Sequence, residues 1–242
     1  MIKNYFILIV LKIFDYYHNK KIINFFKKKI TNLNILLDIG AHKGESVNLF
    51  INNFNVNYIY SFEPSLINYN ELKKNIFYYN KKFKKTNFKI YNFGFGEKKT
   101  NLILNQASES SSSTFNKINI NSKYYNKKIF YIKNNKKPFF LEILSKIDTL
   151  DNFFKENKIS SVDLIKIDTE GYEYSILKGF IENFHKAKFI FFEHHYDNML
   201  IKNYTFLNIN ELLKKNNFIK IYKSKMPFRK TFEYIYVNQS KI

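Results

Sequence analysis

From residue 33 onward, short apolar runs alternate with segments whose apolar residues recur at helical spacing, the pattern of βα units around a mostly parallel sheet. Residues 35–39 form a first strand, followed by the turn Gly40-Ala41-His42-Lys43-Gly44 and a helix over 45–53. A second strand covers 58–62; Glu63-Pro64-Ser65 follows with Pro64 at the first helical position, and a helix spans 66–79. A third strand over 88–93 ends in Gly94-Phe95-Gly96, and 101–104 adds an antiparallel strand. The run SESSSST at 108–114 reads as a loop, and 108–138 as a lysine- and asparagine-rich loop or lid insertion. Thr149 or Asp151 caps a helix reaching 157, and a buried strand at 163–167 ends in Asp168-Thr169-Glu170-Gly171. A helix over 173–182, a strand over 189–192 ending in Glu193-His194-His195, a helix over 208–216 and strands over 218–222 and 232–237 finish the pattern.

This predicts one α/β domain over 33–242, preceded by a helical extension over 1–32. The apolar run YFILIVLKIF at 5–14 resembles a short signal-peptide core, but it is interrupted by Lys12 and falls short of the about 20 apolar residues a bilayer span needs. Residues 15–30 mix apolar positions with lysines, which suits a helix packed on the domain or, as the second choice, one resting on an anionic membrane surface. His18 is expected to be exposed on that helix. The expected location is cytoplasmic, with peripheral membrane contact through residues 1–30 as the variant.

Composition sharpens this in three ways. The 27 Phe and 19 Tyr place the chain among folded proteins. The formal charge of +20 raises nucleic acid as a partner, but Arg229 is the only arginine, and phosphate and base recognition lean on the guanidinium fork. No nucleic-acid partner is expected; solvated faces or an anionic surface account for the lysines. The chain has no cysteine, which excludes disulfides, thiolate metal sites and a cysteine nucleophile.

Polar residues collect where the strands end. Asp38, Glu63, Asp168 and Glu193 each close a predicted strand, and in an open α/β sheet ligands bind beyond those ends where strand order reverses. Gly40 and Gly44 let the first turn approach a ligand closely, but Ala41 and His42 break the dinucleotide spacing G-x-G-x-x-G, so a nucleoside with an amino-acid tail fits better than a pyrophosphate. Glu63, 25 residues after Asp38, is placed to accept hydrogen bonds from ribose hydroxyls.

Four blocks resemble the FkbM methyltransferase family: LLDIGAHKGES at 36–46, YSFEPS at 60–65, IDTLDNF at 147–153 with DLIKIDTEGYEYSILKGF at 163–180, and FFEHH at 191–195. The resemblance implies a Rossmann-like class I methyltransferase fold, with a mostly parallel seven-stranded sheet, helices on both faces and one antiparallel strand near its carboxyl end. It also implies S-adenosylmethionine as the methyl donor. By the same resemblance Asp38, Gly40, Ala41 and Gly44 shape the methionine side of the pocket, Glu63 holds the ribose, and Asn92, Phe93 or Gly94 borders the adenine. Asp168 lies near the methionine amino group or the acceptor, while Glu170, Glu173, Glu193, His194 and His195 face the acceptor.

Direct displacement from a sulfonium needs alignment and a base for the acceptor hydroxyl, and His194 or Asp168, with Glu193 beside them, is the expected catalytic set. A divalent metal held by Asp168, Glu193, His194 and His195 is an alternative; the preferred reading has no metal. The expected reaction is O-methylation of a sugar, glycan or other small-molecule hydroxyl. The competing readings are an RNA methyltransferase and a basic, non-enzymatic membrane-surface module with a degenerate pocket.

Overall fold

The computed structural model describes residues 2–108, 111–132 and 140–242. Helix α1 (Ile2–Lys27) leads to β1 (Leu33–Ile39), α2 (Glu45–Ile51), β2 (Val56–Phe62), α3 (Leu66–Lys82) and β3 (Asn87–Tyr91). Next come β4 (Gly94–Phe95), β5 (Thr100–Ala107), β6 (Lys117–Ile118), α4 (Lys123–Ile132), β7 (Phe140–Asp148), α5 (Leu150–Glu156) and β8 (Val162–Ile167). The chain ends with α6 (Glu173–Lys178), β9 (Ala187–His195), β10 (Leu200–Ile201), α7 (Phe206–Lys215), β11 (Phe218–Lys225) and β12 (Thr231–Asn238).

The central sheet has seven strands in the order β11-β12-β9-β8-β1-β2-β3. Strands β3, β2, β1, β8 and β9 are parallel, and β12 is antiparallel to both its neighbours. This is the mostly parallel, Rossmann-like sheet expected, with its one reversed strand near the carboxyl end. Strand order reverses at β1, between β2 and β8, so the crevice for a ligand opens beyond Ile39, Phe62 and Ile167.

Side chains alternate across the strands, and each face has its own core. Leu37, Phe62, Ile165, Phe192 and Tyr234 point to the face covered by α5, α6 and α7. Leu36, Ile59, Leu164, Phe191 and Ile235 point to the other face, against Phe26 of α1, Val47 and Phe50 of α2 and Leu72 of α3. Strand parity therefore decides which face each polar residue at the carboxyl edge joins.

Several local expectations need correction. The proline at 64 is not the first helical residue: Ser65 is the cap, its Oγ accepting Asn68 N at 3.3 Å, and α3 starts at Leu66. The Asn92 amide donates to the carbonyls of Glu63 and Pro64 at 2.9 and 3.1 Å and holds both outside the helix. The helix expected over 173–182 stops at Lys178; its cap Gly179 packs so closely on Gly96 that a Cβ would lie 2.1 Å from the Gly96 carbonyl oxygen. Asp151 then accepts the N–H groups of Glu182 and Asn183, each at 3.1 Å. Of the two proposed caps for α5, Thr149 acts, accepting Asn152 N at 3.0 Å.

The antiparallel strand expected over 101–104 is longer, and its partner β7 has no clear signal in the sequence: only Ser145 and Ile147 of its nine positions are buried. Together with β4 these strands form a separate three-stranded sheet. Within the expected 108–138 insertion, β6 pairs with β10, α4 is helical and Thr114 bridges Asn105, so much of it carries regular structure. Of that expected insertion, residues 109–110 and 133–138 lie outside the described residues.

Helix α1 docks along the sheet through Ile22, Ile23 and Phe26. His18 is buried, not exposed, with only 4% of its surface accessible, because its Nε2 lies 2.5 Å from Glu233 Oε2 on β12. Asp15 makes a two-point ion pair with Arg229, both contacts 2.9 Å. Phe26 meets Phe189 at the start of β9 while Asp15 meets the β11–β12 turn, so the helix runs antiparallel to β9 and its first residues head past the sheet's carboxyl edge. Among the described residues no helix is long and apolar enough to cross a membrane.

Candidate functional site

The first turn is shaped by backbone contact. Gly40 has φ 81°, and a Cβ there would sit 1.9 Å from the Asp168 carbonyl oxygen, so β1 and β8 leave the sheet closer together than any side chain permits. Gly40 N and Ala41 N both donate to Phe62 O at 3.0 Å, which ties the turn to the end of β2. Gly44 closes the turn on Ala41 O at 2.8 Å and caps α2.

Glu63 joins the two turns. One carboxylate oxygen accepts His42 N at 2.9 Å and the other accepts Ser65 N at 2.9 Å. Burial raises its pKa to about 7, against the pull of these two N–H donors. A small cleft opens beside it, lined by Gly40, His42, Glu63, Asp168, Thr169 and Glu170, with Leu104, Ser111, Ser113 and Phe115 closing over them.

Beneath the cleft, on the α1 face, lies a row of buried charge. Asp38 is fully buried, and Lys166 Nζ, 3.7 Å away, is too distant for a hydrogen bond, so neither carboxylate oxygen accepts one. Burial raises the Asp38 pKa to about 6, with Lys166 opposing. The Lys166 ammonium donates to Asp168 Oδ2 at 3.1 Å, and despite burial the two aspartates hold it firmly protonated. Lys166 is the residue sequence reading missed; its signal was a lysine two positions before Asp168 in an otherwise apolar strand, which parity places on one face with it.

The same parity separates the two histidines. Glu193 and His195 share the face of Phe191, and His195 Nε2 lies 3.0 Å from Glu193 Oε1 and 3.3 Å from Glu170 Oε2. Burial lifts Glu193 to about 7, and although burial opposes it, the carboxylates of Glu170, Asp197 and Glu193 raise the pKa of His195 well above its ordinary value. His194 points the other way, its ring packed against Tyr196, Tyr204 and Phe206 with Nδ1 lacking a hydrogen-bond partner. Burial lowers its pKa to about 3, so it is neutral. The sequence grouped His194 with Asp168 and Glu193; the structure brings His195 to Glu193 and Glu170 instead.

Other expected residues have structural posts. Glu173 is fully buried: it accepts Gly171 N at 2.9 Å and lies 2.8 Å from the Tyr204 hydroxyl, bracing the turn after β8 and not facing the cleft. Phe93 packs among Phe62, Tyr91 and Phe95. Gly94 lies in β4, packed by Ile147 and Phe115, the latter also part of the cleft wall.

A crevice at the strand-order reversal, two strand-end carboxylates and a Gly-bearing first turn suit a nucleoside cofactor. Over residues 38–220 the sequence matches the family described as the methyltransferase FkbM domain. The chain belongs to the FkbM methyltransferase family. The cofactor of this family is S-adenosylmethionine. No curated protein matches the sequence.

Among solved structures, the fold is similar to the FkbM methyltransferase of Methylobacillus flagellatus KT, with TM-score 0.54 and 17% identity over 85% of this chain and 44% of that one. The chain thus spans less than half the length of that relative. It is also similar to magnesium protoporphyrin IX methyltransferase from Synechocystis PCC 6803 with bound S-adenosylmethionine, at TM-score 0.51, 7% identity, and 94% and 81% coverage of the two chains. At these identities the likeness establishes fold alone.

Proposed function

We propose that this FkbM-family chain transfers a methyl group from S-adenosylmethionine to a hydroxyl of a sugar, glycan or other small neutral acceptor. The observation that carries the acceptor class is the acidic side of the cleft: Asp168 and Glu170 line it and Glu193 lies at the adjoining strand end. Such a surface repels the phosphates of a nucleic acid and accepts hydrogen bonds from hydroxyls.

The residues fit the cofactor. Glu63 is anchored by backbone on both sides and accepts from the ribose hydroxyls; the buried, unbonded oxygens of Asp38 call for a donor or cation, which the methionine amino group provides. Gly40, Ala41 and Gly44 form the turn over the methionine part, with Phe93 and Gly94 behind the nucleoside. When bound, S-adenosylmethionine supplies a sulfonium-linked methyl group for direct displacement by the acceptor oxygen. Asp168 takes the hydroxyl proton, oriented by its bond from Lys166, with Glu193 next to it. His194, on the opposite face, has no part in this reading.

Calorimetric titration with S-adenosylhomocysteine tests the pocket. We expect one-to-one binding that weakens by about 30-fold or more in Glu63→Ala, the loss of a charged hydrogen-bonding group. Unchanged affinity would overturn the ribose assignment. Asp168→Asn should retain cofactor affinity within about threefold and lose most turnover on a hydroxyl acceptor.

A second element of the reading is contact with an anionic membrane through the amino-terminal helix. Phe14 packs on Phe228 at 5.0 Å, and Phe228 at the β11–β12 turn is 73% exposed, beside Ile13, Tyr16 and Tyr17, which are also exposed. This aromatic group sits where α1 passes the carboxyl edge, on a chain of charge +20. Sedimentation with phosphatidylglycerol vesicles should fall in a Phe14→Asp, Phe228→Asp double variant; equal sedimentation would remove this element.

A further inference from the structure

We propose that Glu170, Glu193 and His195 form a binding site for a divalent cation of the Mn2+ or Zn2+ type, and that the ion takes the acceptor oxygen as a further ligand. The second half rests on the methyltransferase reading; the first does not. One donor atom from each of the three side chains, two carboxylate oxygens and an imidazole nitrogen, lies within 4.8 Å of the others. A cation about 2.1 Å from its donors sets neighbouring donors about 3.0–3.4 Å apart. The two contacts of His195 Nε2, at 3.0 and 3.3 Å, fall in that range.

The ring nitrogen supplies an independent observation. His195 is 93% buried (7% exposed), and its Nε2 has no hydrogen-bond partner, although two carboxylate oxygens are within reach, so neither meets the angle a hydrogen bond needs. A bound cation would give this buried nitrogen the partner it lacks. Its other nitrogen is oriented as metal-binding histidines are, with Thr231 Oγ1 at 3.3 Å and Asp197 Oδ2 at 3.5 Å from Nδ1.

The third ligand is held on a fixed turn. Glu170 has φ 50°, and its carbonyl accepts the Thr114 hydroxyl at 2.7 Å. Glu170 also lines the cleft, so an ion here reaches the space in front of Asp168. One imidazole with two carboxylates suits Mn2+ or Zn2+ and leaves coordination positions open. An acceptor hydroxyl on the ion would lose its proton more easily: the proton passes to Asp168, the oxygen's electron pair forms the bond to the methyl carbon, and the methyl–sulfur bond breaks with its pair staying on sulfur, which leaves as the neutral thioether S-adenosylhomocysteine.

The test is Mn2+ titration of the chelator-treated full chain, read by electron paramagnetic resonance, with S-adenosylhomocysteine calorimetry on the same samples. We expect one Mn2+ bound at micromolar concentration, displaced by Zn2+. Affinity should weaken at least tenfold in Glu170→Gln and in Glu193→Gln, while S-adenosylhomocysteine affinity stays within threefold and certifies the fold. Failure to bind Mn2+ or Zn2+ below millimolar concentration would overturn the site and leave His195 as an imidazolium between two carboxylates. Binding unchanged in both variants would overturn it equally. Variant-sensitive Mn2+ binding without any S-adenosylhomocysteine binding would uphold the cation site and sink the methyltransferase reading.

Discussion

The two faces of the central sheet are both covered by helices, yet their chemistry differs where the strands end. On the α1 side, Asp38, Lys166, Glu193, His195 and Glu233 form a buried layer of ionisable groups, with Lys166 beside Asp38 and Asp168, His195 beside Glu193 and His18 beside Glu233. On the α7 side the same strand ends carry aromatic rings and uncharged polar groups: His194 among Tyr196, Tyr204 and Phe206, and the Tyr196 and Tyr234 hydroxyls 2.6 Å apart. The lesson is carried by two adjacent residues. His194 and His195 have one sequence environment and opposite protonation, because alternation in β9 sends one into an apolar layer and the other among carboxylates. A buried ionic layer adds little net stability but is costly to unbalance, whereas the aromatic layer gains from every apolar atom it covers.

The largest expected effect tests the ionic layer. Lys166→Met should destabilise the protein by about 3–5 kcal/mol at neutral pH, the usual result of leaving buried carboxylates without their cation. Urea unfolding should show the deficit shrinking as pH is lowered, since protonated Asp38 needs no counter-charge. A loss below about 1 kcal/mol at pH 7 would mean the layer is not dry enough for Lys166 to matter.

Glu63 sharpens the contrast at the cofactor end of the cleft. Its folded pKa of about 7 lies above the ordinary 4.5, so the folded chain holds more protons than the unfolded one between those values, and Glu63's contribution to unliganded stability falls as pH rises through that window. Ribose hydroxyls donate to the carboxylate, so affinity should move oppositely. Between pH 6 and pH 8, S-adenosylhomocysteine should bind about tenfold more tightly at the higher pH, and Glu63→Gln should flatten the dependence. A flat profile in the unmodified protein would show that Glu63 is already ionised at pH 6.

The smallest effect belongs to the aromatic layer. His194→Phe fills a ring-shaped site of similar volume and removes a buried nitrogen that has no partner, so stability should change by less than about 1.5 kcal/mol. Cofactor affinity should stay the same. A loss of several kcal/mol would reveal a hydrogen bond to this ring that the packing does not show.

Much of the architecture was legible because it is written locally. Apolar runs of strand length, the Thr149 cap and the strand-end acids all lie within a few residues of the element they define. The close packing of Gly179, the cap of α6, on Gly96 was not legible, since the two lie over eighty residues apart in the chain. Nor was β7, whose sequence FLEILSKID does not alternate apolar with polar residues, or the burial of His18, which needs Glu233 from the other end of the chain.

The sequence by itself determined the order of the βα units of the central sheet, the family and the set of residues gathered at the carboxyl edge, because strand ends and turns are properties of short stretches of chain. The tertiary structure alone decided how those residues divide. It placed Lys166 between Asp38 and Asp168, spent Glu173 on a turn, and set His195 rather than His194 beside Glu170 and Glu193. Protonation and partnership at the site follow from which face a side chain joins and how deeply it is covered, and both are fixed only when distant segments pack together.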